Sequence, residues 1–164
     1  CVCTLRPKSE GGLFVGKEDE RKSILRLIAE YNPFLLDVKF NTIQKDRKLA
    51  SYLKKSKCKL LISWHDFKKT PNESQLKSRF KKMQKFSNVV KIVTVAKNVS
   101  DASRLLSLYS VKSKNKMVAF CMGDQGKCSR ILCLDLGSPF TYVSLGKAIA
   151  PGQFSVDEIK SLEN

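Results

Sequence analysis

Apolar runs of strand length alternate along the chain with segments whose apolar positions recur every three or four residues. Val2 to Leu5 predicts a first strand, and Ile24, Leu25, Ile28 and Tyr31 predict a helix after it. Phe34 to Val38 predicts the second strand, and a helix carries Ile43, Leu49, Tyr52 and Leu53. Lys59 to Trp64 and Val89 to Val95 read as further strands, separated by a helix with Leu76, Phe80 and Met83 on one stripe. That helix carries the start signal Thr70-Pro-Asn-Glu73, a capping box with proline at the first helical position. A helix over Ser100 to Ser110 follows, with Ala102, Leu105, Leu106 and Tyr109 inward. Met117 to Met122, Ile131 to Leu134 and Phe140 to Val143 predict three more short strands. A short helix near Ser144 to Ile149 and a terminal helix capped by Ser155 and Glu158 close the pattern.

Near-continuous apolar strands separated by single helices imply a parallel sheet covered on both faces. Two architectures answer to that, an open doubly wound sheet and a (β/α) barrel. The nucleotide-binding version of the first needs a glycine-rich turn after its first strand, and here Arg-Pro-Lys-Ser-Glu stands in that place. About seven strands with polar residues at their C-terminal ends favour the barrel, one strand short of eight. A length of 164 residues, 42% hydrophobic, suits a single domain spanning residues 1–164. No apolar run approaches the about 20 residues of a membrane helix.

The net charge of +16 (31 Lys and Arg against 15 Asp and Glu) raises a nucleic-acid reading. The lysines, however, fall on the polar faces of amphipathic segments, without an aromatic RNA-binding signature, helix-turn-helix or zinc finger. A solvated basic surface that draws in small anions explains them better, and neither a nucleic-acid nor a membrane partner is expected. The six cysteines, at 1, 3, 58, 121, 128 and 133, form no C-x2-C pair and have one histidine to assist them. They read as free thiols in a reducing, cytoplasmic setting, with no metal site.

Lys91 is the strongest chemical clue, because it lies inside the apolar strand Asn88-Val-Val-Lys-Ile-Val-Thr-Val95. Burying an unpaired ammonium is costly, and a buried lysine answers by losing its proton, which is what attack on a ketone requires. The competing reading is a lysine that is salt-bridged or reaches water. His65 ends the run Leu60-Leu-Ile-Ser-Trp-His65. A lone histidine is more often structural, but strand C-termini in a barrel project into the reaction site. The two lie on consecutive strands, and neighbouring strands are roughly 4.8 Å apart. Arg6 and Glu10 follow the first strand and Arg130 is a second forked cation suited to a carboxylate; Gln153 follows Pro-Gly. Taken alone, Arg6 and Glu10 read as a surface loop with a routine ion pair, and Gln153 as a turn residue.

The segments Thr4-Leu-Arg-Pro-Lys-Ser-Glu-Gly-Gly12, Ser63-Trp-His-Asp-Phe-Lys-Lys-Thr-Pro71, Ser78-Arg79 with Lys-Lys-Met83, Lys91-Ile92, Met122-Gly123 with Ser129-Arg130, and Ala150-Pro-Gly-Gln153 occur in this order. Jointly they resemble the type I 3-dehydroquinate dehydratases, from Cys3 to Leu162. The resemblance implies a (β/α)8 TIM barrel, often dimeric, that lacks its first strand and helix in this chain. It implies dehydration of 3-dehydroquinate to 3-dehydroshikimate without a cofactor. Lys91 would form the imine, His65 would be the general acid and base, and Glu10 its carboxylate partner. Arg130 would hold the substrate carboxylate, Arg6 the hydroxyl side, and Gln153 would belong to a closing loop. Two departures stand out: Ile149 where the family commonly has serine, and Lys39 where it usually has glutamate. The remaining alternatives are an impaired homologue or barrel fragment, another lysine-imine lyase or aldolase, and a basic nucleic-acid module.

Overall fold

A computed structural model describes residues 1–162 and contains five strands in sheet order β1-β2-β3-β4-β5. These are β1 (Val2–Thr4), β2 (Leu35–Lys39), β3 (Leu60–Asp66), β4 (Val89–Val95) and β5 (Lys116–Met122). The first pairs are parallel, with Val2 opposite Leu35 and Leu36 opposite Leu60. The helices are α1 (Glu18–Glu30), α2 (Phe40–Lys45), α3 (Arg47–Lys55), α4 (Glu73–Met83), α5 (Val99–Leu106), α6 (Ser129–Asp135) and α7 (Val156–Leu162). Among the described residues, no helix is long and apolar enough to cross a membrane.

The chain packs as two compact units. One is Cys1–Trp64 with Phe80–Lys91, the other His65–Arg79 with Ile92–Asn164. In the first, Leu25, Leu36, Val38, Phe40, Leu49 and Leu61 are buried, and Phe40 meets Phe86 edge-on at 6.0 Å. Arg21 is buried there too, which its bonds to both Glu18 oxygens and the Thr42 hydroxyl make tolerable. In the second, Val93, Val118, Phe120, Met122 and Cys133 form a cluster flanked by Tyr109, Phe140 and Tyr142.

Several elements depart from the pattern. Ile131 to Leu134 is helical, inside α6, because the hydroxyl of Ser129 bonds the Gly126 carbonyl and Cys121 N–H, anchoring a helix start there. Four apolar residues in a row carry no period, so length alone could not separate strand from helix. Phe140 to Val143 forms no strand; a single parallel bridge joins Ser144 to Ser155. The helix expected at Ser144 to Ile149 is a loop, since Gly146 takes a φ of 134°, outside helical space. The second helix is two, α2 and α3, broken at Asp46, whose carboxylate caps Leu49 N–H at 2.9 Å. Tyr31 lies past the end of α1 and is exposed. Ser107–Ser110 tightens into a 3₁₀ turn after α5.

The capping box of α4 sits two residues later than expected. Asn72 Oδ1 accepts from Gln75 N–H at 2.9 Å, and Gln75 Oε1 accepts from Asn72 N–H at 3.3 Å. Pro71 favours extended backbone at Thr70, and the Thr70 hydroxyl turns to Thr94 Oγ1 (2.7 Å) and the Val95 carbonyl (2.9 Å) on β4. The box before α7 stands as expected: Ser155 N–H donates to Glu158 Oε2 (2.7 Å) and Glu158 N–H to Ser155 Oγ (3.1 Å).

Two predictions follow from this packing. Asn72→Ala removes the cap of α4 and should cost about 0.5–2 kcal/mol in denaturant unfolding, whereas Glu73→Ala should cost less. Burial pushes the Tyr109 hydroxyl up to about 12. A group raised in the folded state contributes stability that is complete below its unfolded value and disappears as pH rises through the folded one. Stability should therefore fall between about pH 10 and 12, and the fall should be shallower in Tyr109→Phe when both are unfolded by urea across that range.

Candidate active site

At the C-terminal end of β2, two charged side chains two residues apart, Asp37 and Lys39, share one face of the strand. Asp37 is 4% exposed, and its carboxylate is the centre of the first unit's polar cluster. Oδ1 accepts from the Ser63 hydroxyl at 2.5 Å, and Oδ2 lies 2.8 Å from the Arg6 guanidinium. The Lys91 ammonium stands 3.7 Å from the same Oδ2, with Lys91 only 7% exposed. Register explains the convergence: Thr4 pairs with Asp37 and Lys39 pairs with Ser63, so the end of β2 lies beside the end of β1 and the middle of β3.

Glu10 reaches this cluster from the 3₁₀ turn Lys8–Glu10. Its Oε1 lies 2.6 Å from Lys39 Nζ and its Oε2 3.4 Å from Arg6 NH1. The turn is held by Phe14 N–H donating to the Arg6 carbonyl at 3.2 Å. Gly12 passes so close that a Cβ there would lie 2.0 Å from the Arg6 carbonyl oxygen, so only glycine fits. The sequence-predicted Lys91, Glu10 and Arg6 are thus brought together, and Lys91 is both buried and ion-paired.

His65, Arg130 and Gln153 belong to the second unit. His65 lies within β3, half-buried, with its ring stacked on Phe67 at 5.7 Å and 13°. Arg130, on α6, is 2% exposed. Its guanidinium carbon sits 4.5 Å above the Phe120 ring centre, and NH2 donates to the Pro151 carbonyl at 3.2 Å. Arg130 Nε is buried without a hydrogen-bond partner among the described residues. Burial pulls this guanidinium down to about 10. A buried cation with an unused donor is chemically suited to a carboxylate ligand.

Gln153 closes its own loop: its side-chain oxygen accepts from Ile149 N–H (3.0 Å) and Ala150 N–H (3.2 Å). That loop is seated on the turn after β5. Gly123 N–H donates to the Pro151 carbonyl at 3.2 Å, and a Cβ on Gly152 would lie 2.5 Å from the Gly123 carbonyl oxygen. Ile149 points outward, 88% exposed.

All six cysteines are free thiols, and burial raises Cys58, Cys121 and Cys133, which suits them to packing rather than nucleophilic attack. Among the described residues no group of three or more His, Cys, Asp or Glu is placed to hold a metal. A cavity of about 630 Å³ in the first unit has a mixed charged and polar lining that includes Glu18, Lys22, Lys45, Asp46 and Arg47. Lys39 is the cluster residue that also lines it. Asp37 and Ser63 are the cluster members that the sequence reading assigned no role. A carboxylate inside the apolar run Phe34 to Val38 carried the same signal as Lys91.

A family model described as Type I 3-dehydroquinase matches residues 1–163. A 3-dehydroquinate dehydratase from Pyrobaculum aerophilum is 40% identical over 158 residues, 95% of this chain and 50% of that protein. One from Dehalococcoides mccartyi is 37% identical over 161 residues, covering 96% and 72%. Among solved structures, the type I 3-dehydroquinate dehydratase of Clostridium difficile with covalently modified comenic acid superposes with a TM-score of 0.86. It is 26% identical, and the match covers 98% of this chain and 66% of that one. The enzyme from Aquifex aeolicus gives 0.80 at 29% identity, covering 99% and 72%. The chain therefore spans between half and three quarters of the length of these relatives. With a family match over nearly every residue, the chain belongs to the type I 3-dehydroquinases.

Proposed function

We propose that this chain carries the catalytic face of a 3-dehydroquinate dehydratase, working through an imine on Lys91. The observation that carries this reading is a lysine 7% exposed inside β4, whose nearby carboxylate Asp37 is already bonded to Arg6 and Ser63. Family membership supplies the reaction class.

The chemistry follows from electron flow. The amine of Lys91 attacks the C3 ketone, and His65 shuttles the protons that turn the carbinolamine into an iminium with loss of water. The iminium withdraws electrons, so His65 can take the neighbouring C2 proton and leave an enamine. The enamine expels the C1 hydroxyl, which takes its proton from the same imidazole, so one base serves a syn elimination. Water then hydrolyses the imine and frees Lys91. Glu10 would hold the imidazole's charge, Arg6 would meet the hydroxyl side and Arg130 the substrate carboxylate, with the Gln153 loop closing above. No metal or organic cofactor enters these steps.

We further propose that residues 1–164 form one domain, part of a (β/α)8 barrel, that assembles as a homodimer in the cytoplasm. The superposition on solved relatives supports the barrel, and the free thiols support a reducing compartment. Sedimentation of the purified chain tests the dimer.

Incubation with 3-dehydroquinate and borohydride should add one reduced adduct at Lys91, found by peptide mass spectrometry. Lys91→Met should abolish both the adduct and the enone absorbance of turnover; trapping elsewhere, or none in the parent chain, removes the reading. Arg130→Met replaces a buried, incompletely bonded cation with an apolar side chain. Its melting temperature without ligand should equal or exceed the parent's, while the rise that 3-dehydroquinate gives the parent should vanish.

A further inference from the structure

Three cations and two carboxylates meet just beyond β1, at the end of β2 and inside β4. Arg6 bridges the carboxylates, at 2.8 Å from Asp37 and 3.4 Å from Glu10. Lys39 holds Glu10 at 2.6 Å, and Lys91 stands 3.7 Å from Asp37. The set carries one positive charge in excess. Lys39 makes the shortest ion pair of the four, and Lys91 is the cation held at the greatest distance from its carboxylate. The side chain of Lys39 is 25% exposed and that of Lys91 9%, so water relieves the charge of Lys39 more readily. Lys91 is the most deeply buried of the three cations, so water screens the excess charge of the set least at its ammonium.

We propose that Lys39 is a positioning residue that neutralises Glu10 and biases Lys91 toward its uncharged, nucleophilic form. Its purpose rests on the imine reading of Lys91, but its measurement does not. With Lys39 removed, Glu10 competes with Asp37 for Arg6, and both carboxylates gain capacity to hold an ammonium at position 91. The loss of a cation and the release of a carboxylate act in the same direction. Placed beside another cation, a lysine gives up its proton more easily. The charged groups involved are Arg6 and Glu10 from the segment after β1, Asp37 and Lys39 from β2, and Lys91 itself. Ser63 is a neutral donor to Asp37, and His65, further along β3, is common to every variant.

The test is a titration of the full chain labelled with ¹³C at lysine Cε, in which the Lys91 resonance is assigned by its loss in Lys91→Arg. Lys39→Gln should raise the pH midpoint of Lys91 by about one unit. Lys39→Glu should raise it further, Glu10→Gln should lower it, and Lys39→Arg should keep the parental value. Circular dichroism of each variant separates these shifts from unfolding, and the opposite sign expected of Glu10→Gln provides a readout that does not depend on any position-39 variant folding. Equal midpoints in the parent, Lys39→Gln, Lys39→Glu and Glu10→Gln would overturn the assignment. Borohydride trapping in the same samples keeps the two readings apart. Shifted midpoints with no adduct sink the imine and leave Lys39 its role. An adduct with unmoved midpoints does the reverse.

Discussion

One carboxylate organises the first unit's polar interior. Asp37 is almost fully withdrawn from water, and a buried carboxylate persists only when its lone pairs are taken up. Ser63, Arg6 and Lys91 take them up, and each comes from a different part of the chain: the middle of β3, the segment after β1, and the interior of β4. The demand for partners therefore fixes where these segments converge on the end of β2. Loss of any one partner leaves a charge or dipole without compensation in a place that water reaches poorly.

The same arrangement makes the residues chemically useful. Arg6 is shared between two acids, each of which has a second cation, Lys39 for Glu10 and Lys91 for Asp37. Lys91 stands 3.7 Å from the carboxylate that Arg6 and Ser63 also bond. In the second unit the imbalance has the opposite form. Arg130 is buried over the Phe120 ring, where NH2 donates to the Pro151 carbonyl and Nε has no hydrogen-bond partner among the described residues. Sites that must hold an anionic substrate often store this kind of incompleteness, at some expense to stability.

The backbone detail around these groups follows from close approach. Gly12 lies against the Arg6 carbonyl and Gly152 against the Gly123 carbonyl, at distances a side chain would not permit. Pro151 both receives the Gly123 N–H and the Arg130 guanidinium, which ties the Gln153 loop to the turn after β5. The short motifs of the sequence are thus contact points between loops and strand ends.

Much of this was readable before any coordinates. Strand-length apolar runs gave β2, β3, β4 and β5 to within one or two residues, and helical periodicity gave the existence of α1 and α4 but not their starts, because those elements bury a whole face or stripe. A charge inside an apolar strand marked Lys91, and the joint order of the motifs gave the family, which the family match bears out. What failed were the short apolar runs of the C-terminal third. Ile131 to Leu134 has no period to distinguish strand from helix, and Ser129 decided it through bonds to Gly126 and Cys121. Thr70 looked like a cap and became a tether to β4, since a hydroxyl follows the nearest buried acceptor. The sequence by itself determined that Lys91 carries charge into apolar surroundings and that the long, strongly periodic segments are helical or extended. Only the tertiary structure decided the pairings, that Lys39 meets Glu10 and that Arg6 bridges Glu10 and Asp37. Ion pairs depend on distances between residues far apart in the chain, and strand register sets those distances.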